Sequence, residues 1–596
     1  MLTFILAALV QGQGAPVPPE EAPRRMTLPD GFRATLFAGE PDVVQPMAFT
    51  IDDRGRLWVV ESFCYPNWSK PGEPGKDRIL IFEDSDGDGR FDSRKVFAEK
   101  LANVSGLALG FGGVWLCATP YFLFLPDRDG DDRPDAAPEV MLDGWDLKAK
   151  HNVFTKPVWG PDGWLYGCNG ILSNSKVGKP GAPDAERVSF NCGVWRFHPV
   201  RRAFEAVAHG TTNPWGIDWD DWGQMFITNC VIKHVWHVVP GAHFERMFGQ
   251  DVTAPNLYGL IPSIADHLHW AGGKWQDARG QEKHSEFGGG HAHVGAMVYL
   301  GDNWPDRYRT RVFTANLHGN RIQNDVLERK GSSYVARHEK DFLLANDSWF
   351  RGLDLQYGPD GGVYVTDWSD TGECHDYDKA DAANGRIHKI TYGDVKPVRV
   401  DLAKLDDLEL VKLHLHKNDW FVRHARRLLQ ERAAAGTIRA DVAPALRAIL
   451  VENGDATRKL RALWTLHATS GLTRADLDRC WDSGQEHVRA WAVQLALERP
   501  DGPQLPWAAR AREETSPVVR LAFASGLQRL PPAERRAVAE GLIGRAEDAE
   551  DAYLPLMIWY GIEPLVGAKP EEAADLLAKT KIPLLRQFIA RRLASK

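Results

Sequence analysis

Gly160-Pro161-Asp162-Gly163-Trp164-Leu165-Tyr166-Gly167 reads as a tight polar turn feeding a strand of aromatic and apolar residues. Asp-Gly ahead of such a run is a strong β-hairpin signal. The phrase recurs as Asp52-Asp53-Arg54-Gly55-Arg56-Leu57-Trp58-Val59-Val60, as Asp220-Asp221-Trp222-Gly223-Gln224-Met225-Phe226-Ile227 and as Gly358-Pro359-Asp360-Gly361-Gly362-Val363-Tyr364-Val365. Gly112-Gly113-Val114-Trp115-Leu116 is a degenerate copy. A short apolar run precedes each copy, and a further strand follows, such as Arg78-Ile79-Leu80-Ile81-Phe82 or Arg386-Ile387-His388-Lys389-Ile390. Four-strand units at a spacing of roughly 40 to 65 residues predict a β-propeller. Six blades are expected, at about 26–100, 101–148, 149–212, 213–250, 289–345 and 346–398, with 251–288 as an excursion over one face.

Composition divides the chain at the same place. Sixteen of the 22 Trp and 45 of the 55 Gly lie in residues 1–400, as aromatic packing between blades and glycine turns require. Beyond 400, Ala rises and the period becomes helical. Asp419 reads as an N-cap, with Phe421, Ala425, Leu428 and Leu429 on one face. Helices follow over Arg458–Leu466, His487–Leu497, Pro517–Leu527, Tyr553–Ile562 and Pro583–Leu593. Their spacing of roughly 30 to 36 residues is that of paired-helix repeats. The fold class is therefore a multidomain chain: an all-β six-bladed propeller over 26–400, then an all-α HEAT-like solenoid over 401–596, a type that braces or binds a protein partner.

A net charge of −8 over 596 residues gives no footprint for nucleic acid. The apolar run Leu2–Val10 is too short to span a bilayer and no other segment suffices, so no transmembrane helix is expected. It reads as the core of a signal peptide over 1–15, with a Pro-rich linker over 16–25, and implies export to the periplasm or beyond. The seven Cys (64, 117, 168, 192, 230, 374 and 480) contain no C-x-x-C, which excludes a zinc ribbon, a thioredoxin motif and covalent c-type haem. Cys117, Cys168 and Cys230 read as buried strand residues, and a Cys168–Cys192 disulfide stays open.

Three constellations carry chemistry. Asp84, Asp86, Asp88 and Asp92 occupy positions 1, 3, 5 and 9 of a calcium loop with Gly89 at position 6, set on a hairpin instead of between helices. A second loop, Asp127 to Asp135, has Asp132 in place of that Gly. Residues 267–293 hold His267, His269, His284, His291 and His293. In a strand, residues i and i+2 point the same way. His291 with His293, and His267 with His269, are therefore expected as imidazole pairs, either on a metal or lining a polar funnel. The third set lies near strand starts, where propeller blades converge on the axis: His151-Asn152, Thr212-Asn213, Arg351, Asp354, Asp367-Trp368, His375 and Arg386.

These residues carry a resemblance. Trp159 to Gly167, Thr212-Asn213-Pro214-Trp215-Gly216-Ile217-Asp218 and Gly385 to Ile390 resemble the glucose/sorbosone dehydrogenase propellers, which use pyrroloquinoline quinone (PQQ). Longer runs, Gly290 to Met297, Gly301-Asp302-Asn303-Trp304-Pro305 and Trp349 through Gly361, resemble the PVC-type membrane-bound dehydrogenase family, which joins a propeller to HEAT-like repeats and often to a cytochrome c domain. The resemblance implies a PQQ- and calcium-dependent oxidation of a neutral sugar or polyol. His151 is then the general base with Arg351 and Asp354 beside it. Asn213, Asp367, Trp368, Arg386, His291 and His293 fall to the cofactor, and Asp84, Asp86, Asp88 and Asp92 to calcium. The cytochrome motif is absent, so electrons go to a separate acceptor such as a cytochrome. Thr212 stands where the sugar dehydrogenases have Arg. Two other readings remain: a non-catalytic propeller–solenoid scaffold for carbohydrate or protein, and a calcium-dependent hydrolase or lactonase on the propeller face.

Overall fold

The Asp-Gly phrases are the hairpins between the first and second strands of propeller blades. The computed structural model describes residues 15–151, 153–254, 256–270, 285–372, 376–499 and 506–595. The run Leu2–Val10, Asn152, His284, Cys374 and His375 lie outside the described residues. Six sheets make a ring. Blade 1 spans Pro46–Ile51 to Ser93–Leu101, and blade 2 Val104–Leu109 to Glu139–Asp143. Blade 3 is built on Phe154–Trp159, Leu165–Asn169, Gly193–His198 and Ala203–Thr211. Blade 4 keeps three strands, Asn213–Trp219, Met225–Cys230 and Val235–Val238, because the next one, His243–Arg246, pairs in parallel with blade 3. Blade 5 runs from His293–Val298 to Ser333–His338.

Blade 6 corrects the expected boundaries. Its strands Gly352–Tyr357, Val363–Asp367 and Arg386–Tyr392 are completed by the N-terminal strand Phe32–Gly39, which the sequence pattern assigns to blade 1. This pairing closes the ring and removes two sheet edges. Phe32 anchors it, edge-on to Trp304, Tyr308, Phe342 and Tyr392 at 5.0–5.3 Å. Trp304 of the Gly301–Pro305 run is thus a closure residue. Cys168 and Cys192 are separate buried thiols, so the disulfide left open is not formed.

Among the described residues, twelve α-helices follow, from Asp407 to Ala594. No described helix is long and apolar enough to cross a membrane. Asn418, one residue before the expected cap, caps Asp419–Ala434 by accepting from the Trp420 N–H. The helices Asp419–Ala434, Ala456–Ala468, Glu486–Glu498, Pro517–Gly526, Leu554–Ala568 and Pro583–Ala594 each pack on the next, forming a row.

This row docks on the hairpin turns. Asp53 in blade 1 pairs with His424 (2.6 Å) and Arg427. The Phe111 N–H of blade 2 donates to Glu431, and Gln430 donates to the Gly163 carbonyl of blade 3. Trp491 Nε1 donates to the Trp222 carbonyl of blade 4 at 2.8 Å. The Asp419 N–H reaches the Leu300 carbonyl of blade 5, and Asn418 Nδ2 reaches Gly358 and Pro359 of blade 6. The approach requires glycine. Gly163 and Gly223 have φ of +81° and +72°, and a Cβ on Gly223 would stand 2.6 Å from Trp464 and 2.7 Å from Trp491. One large apolar core runs through propeller and helices, with a separate aromatic cluster around Trp115, Trp145 and Trp195 in blades 2 and 3.

Arg196 of blade 3 is the buried ionic centre of this interface, between Asp162, Glu205 and Glu498 of the helix Glu486–Glu498. Burial alone would raise the Glu498 pKa, but the Arg196 charge and a His467 hydrogen bond hold it well below the ordinary range. A carboxyl so depressed stabilises the fold above its unfolded value, about pH 4.3, and loses that contribution as pH falls through the folded value. Arg196→Met leaves two buried carboxylates without their cation and is expected to cost about 3–5 kcal/mol at pH 7. The deficit should shrink as pH approaches 4, where the variant's Glu498 can protonate. Equilibrium denaturation at both pH values measures it, and equal deficits would refute this role.

Candidate functional site

With one mouth of the propeller covered by helices, the opposite mouth holds an open cavity of about 120 Å³. Blades 1, 3, 4, 5 and 6 line it near the starts of their innermost strands, through Met47, Val153, Asn213, Trp215, Val294, Arg351 and Leu353. Its walls are largely apolar, and aromatic rings from the connecting loops complete them. Tyr65 stands edge-on to Trp68, Trp368 and Tyr377, at 5.8–6.4 Å. Two indole N–H groups are held in place, Trp68 on the Ala149 carbonyl (2.9 Å) and Trp368 on Asp370 (3.1 Å).

His151 is at this cavity, half-buried, with Nδ1 2.9 Å from the Tyr377 hydroxyl and its ring stacked on that of Tyr377. The Lys150 ammonium lies 4.3 Å over the same Tyr377 ring. Of the other expected site residues, Asn213, Trp368 and Arg351 line the cavity. The Arg351 guanidinium donates to the carbonyls of Ser348, Phe350, Thr371 and Gly372, and so brackets the loop beneath the cavity.

The remaining members of that set go elsewhere. Asp354 is not beside His151. It pairs with Lys156 in the axial channel on the helix side, which Trp420, Arg423 and Arg427 close. Asp367 is fully buried, accepting from the Arg351 and Ser369 N–H groups, 3.7 Å from His388. Arg386, also fully buried, ties Glu40, Asp347 and the Val17 carbonyl together at the ring closure. Thr212 is 1% exposed, and its N–H donates to Asn229.

A second constellation lies between blades 4 and 5, where the excursion crosses them. His267 and His269 meet with Nε2 atoms 2.6 Å apart, in a bend and not in the strand the alternation assumed. His269 Nδ1 contacts His293 Nε2. His234, Asp325 and His338 join them from elsewhere in the sequence. His234 Nε2 is 3.1 Å from Asp325 Oδ2, and Asp325 Oδ1 lies 3.6 Å from His267 Nε2 and 4.0 Å from His338 Nδ1. Burial first, and neighbouring imidazoles second, push the His269 and His293 pKa values well below the usual one. His291 does not share the side of His293. It precedes the strand, so alternation does not apply, and its ring packs on His318. No spacing rule links His234, Asp325 and His338 to the run 267–293. Their meeting depends on the Asp325–His338 strand register.

The two acidic loops are hairpin turns. Asp84, Asp86 and Asp92 bring carboxylate oxygens within 4.8 Å of one another, as do Asp127, Asp129 and Asp131. All four carboxylates accept backbone N–H groups of the turn, and Asp88, which accepts from Arg90, is not among the three that converge. Asp132, the residue in place of glycine, pairs with Arg56 and Lys95 of blade 1.

Known proteins offer a frame for these features. No curated protein matches the chain. Among solved structures, it is similar to an oxidoreductase described as a glucose dehydrogenase from Thermus thermophilus (18% identity, 60% of this chain, 100% of that one, TM-score 0.39). It is also similar to the soluble aldose sugar dehydrogenase of Escherichia coli (13%, 61% and 99%, 0.32). A third likeness is to the calcium-binding protein regucalcin of Agrobacterium tumefaciens (10%, 61% and 97%, 0.31). At these identities and TM-scores the likenesses carry no argument about chemistry. The sequence profile of the domain of unknown function DUF7133 matches residues 18–394, which include every described strand of the propeller. By that match, the chain belongs to the DUF7133 family.

Proposed function

We propose that the open mouth of the propeller binds a neutral sugar or polyol and that His151 takes the proton from one of its hydroxyls. One observation carries the reading: an aromatic cavity in which a half-buried imidazole is held through Nδ1 by a tyrosine hydroxyl. Aromatic faces suit the apolar C–H faces of sugar rings, and the indoles are fixed by their own hydrogen bonds. We take the tautomer whose Nδ1–H donates to the Tyr377 oxygen, in which Nε2 is the basic nitrogen. A basic ring nitrogen facing the cavity suits general-base work.

The described residues do not fit PQQ. That cofactor carries three carboxylates, and the lining supplies two cations, Lys150 and Arg351, alongside Asp370 and Asp376. Arg351 already serves four backbone carbonyls, and Thr212 is buried where the resemblance has a cation. In a sugar oxidation this chain would contribute the binding wall and the proton acceptor, with the hydride passing to a separate carrier. The Thr212 position also favours a second reading, a carbohydrate-binding scaffold without turnover. Export, inferred from Leu2–Val10, fits either reading.

Tryptophan fluorescence titration with a panel of aldoses and polyols tests binding. Trp368→Ala is expected to weaken it about tenfold or more, and His151→Ala to leave it within about threefold. Reduction of an artificial dye, with and without added PQQ and calcium, tests turnover, which His151→Ala should lower by about 10²- to 10⁴-fold if the imidazole is the base. No saturable change with any member of the panel would remove the sugar reading. Binding without dye reduction would leave the scaffold.

We further propose that Asp84, Asp86 and Asp92 hold a structural calcium ion on the blade 1 hairpin. Calcium should raise the wild-type melting temperature, and Asp86→Ala should abolish that rise without lowering the melting temperature in chelator. A wild-type curve indifferent to calcium would remove the site.

A further inference from the structure

We propose that His234, His267, His269 and Asp325 form a binding site for one divalent transition-metal ion, best matched by Zn²⁺, with His338 at its open side. This site is independent of the sugar cavity and of the acidic loops. Its parts come from three separated pieces of chain: the loop ahead of Val235–Val238 in blade 4, the excursion before Trp270, and the strand Arg321–Lys330 of blade 5. Potential ligand atoms of His234, His267 and His269 all lie within 4.8 Å of one another, and so do those of His267, Asp325 and His338.

Proton counting argues for a cation between them. Asp266 Oδ1 stands 2.6 Å from His267 Nδ1 and, as a carboxylate oxygen, can only accept. The proton of neutral His267 is therefore on Nδ1, and its Nε2 presents a lone pair. That lone pair faces His269 Nε2 at 2.6 Å and Asp325 Oδ1 at 3.6 Å. The Asp325 side chain is wholly buried, and its Oδ1 accepts no hydrogen bond from the described residues. His269 Nε2–H can serve that lone pair, but the buried anionic oxygen of Asp325 has no described donor, which is costly unless a positive ion comes within reach of it. Ligands about 2.1 Å from a tetrahedral ion stand ~3.4 Å apart, close to the spacing of this pair. The His267–His269 pair would open by under an ångström.

The donor set selects the ion. Three imidazoles with one carboxylate suit Zn²⁺ and its neighbours, whereas calcium and magnesium take oxygen ligands. Outer partners are already in place. Asp266 sets the His267 ring, and His293 contacts Nδ1 of His269, the arrangement that fixes the orientation of metal-bound imidazoles. His267 and His338 keep 19% and 30% of their side chains exposed, so an ion has a way in from solvent. Once bound, it would staple the excursion onto blades 4 and 5.

The test uses the full chain stripped with a chelator. Added Co²⁺ should produce the visible absorption of a four- or five-coordinate site, saturating at one ion per chain. Zn²⁺ should displace it, and excess Ca²⁺ should not. Protein purified without chelator should carry about one equivalent of transition metal by elemental analysis. Asp325→Asn and His269→Ala should lose the Co²⁺ spectrum, and His293→Ala, a positioning residue, should weaken affinity about 10- to 100-fold. Should these variants fail to fold, the wild-type titration decides alone. No Co²⁺ absorption and no stoichiometric metal in the wild type would overturn the site.

Discussion

The contact between the propeller's hairpin turns and the row of helices governs the rest of the molecule. The turns offer an Asp carboxylate or a bare backbone N–H or carbonyl at the edge of the ring, and the helices answer with side chains or, at Asp419, a backbone N–H. Asp carboxylates in these turns first satisfy their own backbone, as Asp220 does by accepting from the Trp222 and Gln224 N–H groups. The next residue, Asp221, then faces outward to Arg461 and Arg309. One motif therefore serves twice, closing a hairpin and presenting a docking point. The helical half is a lid on one mouth of the propeller, which leaves a ligand the other mouth.

That division sorts charge along the axis. Toward the helices the channel holds Lys156 with Asp354, and Arg423 with Asp218 and Asp419, all paired. Paired buried charges are expensive to disturb and poorly suited to a proton-transfer cycle. The open end is aromatic instead, and His151 is its imidazole. The proposed chemistry on a neutral ligand therefore rests on the open end, while the ionic end holds the propeller and the helices together.

The fold was legible because its signals are local. An Asp-Gly turn followed by a strand is written in eight residues, and a helical face in eleven, so the six blades and the later helices read directly. Closure was not legible. Phe32–Gly39 reads as a strand, but nothing nearby says that its partner lies some 350 residues away. The site followed the same rule. His151 and Asn213 stand near strand starts and Trp368 just past the end of Val363–Asp367, and the propeller gathers all three at the open cavity. Asp354 and Arg386 stand near strand starts too, but Asp354 turns toward the channel and Arg386 toward the ring closure, a choice set by packing partners.

The histidine constellation is only half written in the sequence. His267 and His269 meet in a bend and not in a strand, and His291 lies ahead of the strand that holds His293, so strand alternation accounts for neither pair. The decisive member is Asp325, an ordinary residue in a strand whose sequence neighbours are Asn324 and Val326. Its importance comes from having one oxygen on His234 and the other on no described donor, deep between two blades. An unsatisfied acceptor is invisible in sequence, since it is defined by what fails to reach it. The same holds for the outer partners: Asp266 matters because it removes one of two tautomers of His267, and so turns a pair of touching imidazoles into a pair with a lone pair aimed at a carboxylate.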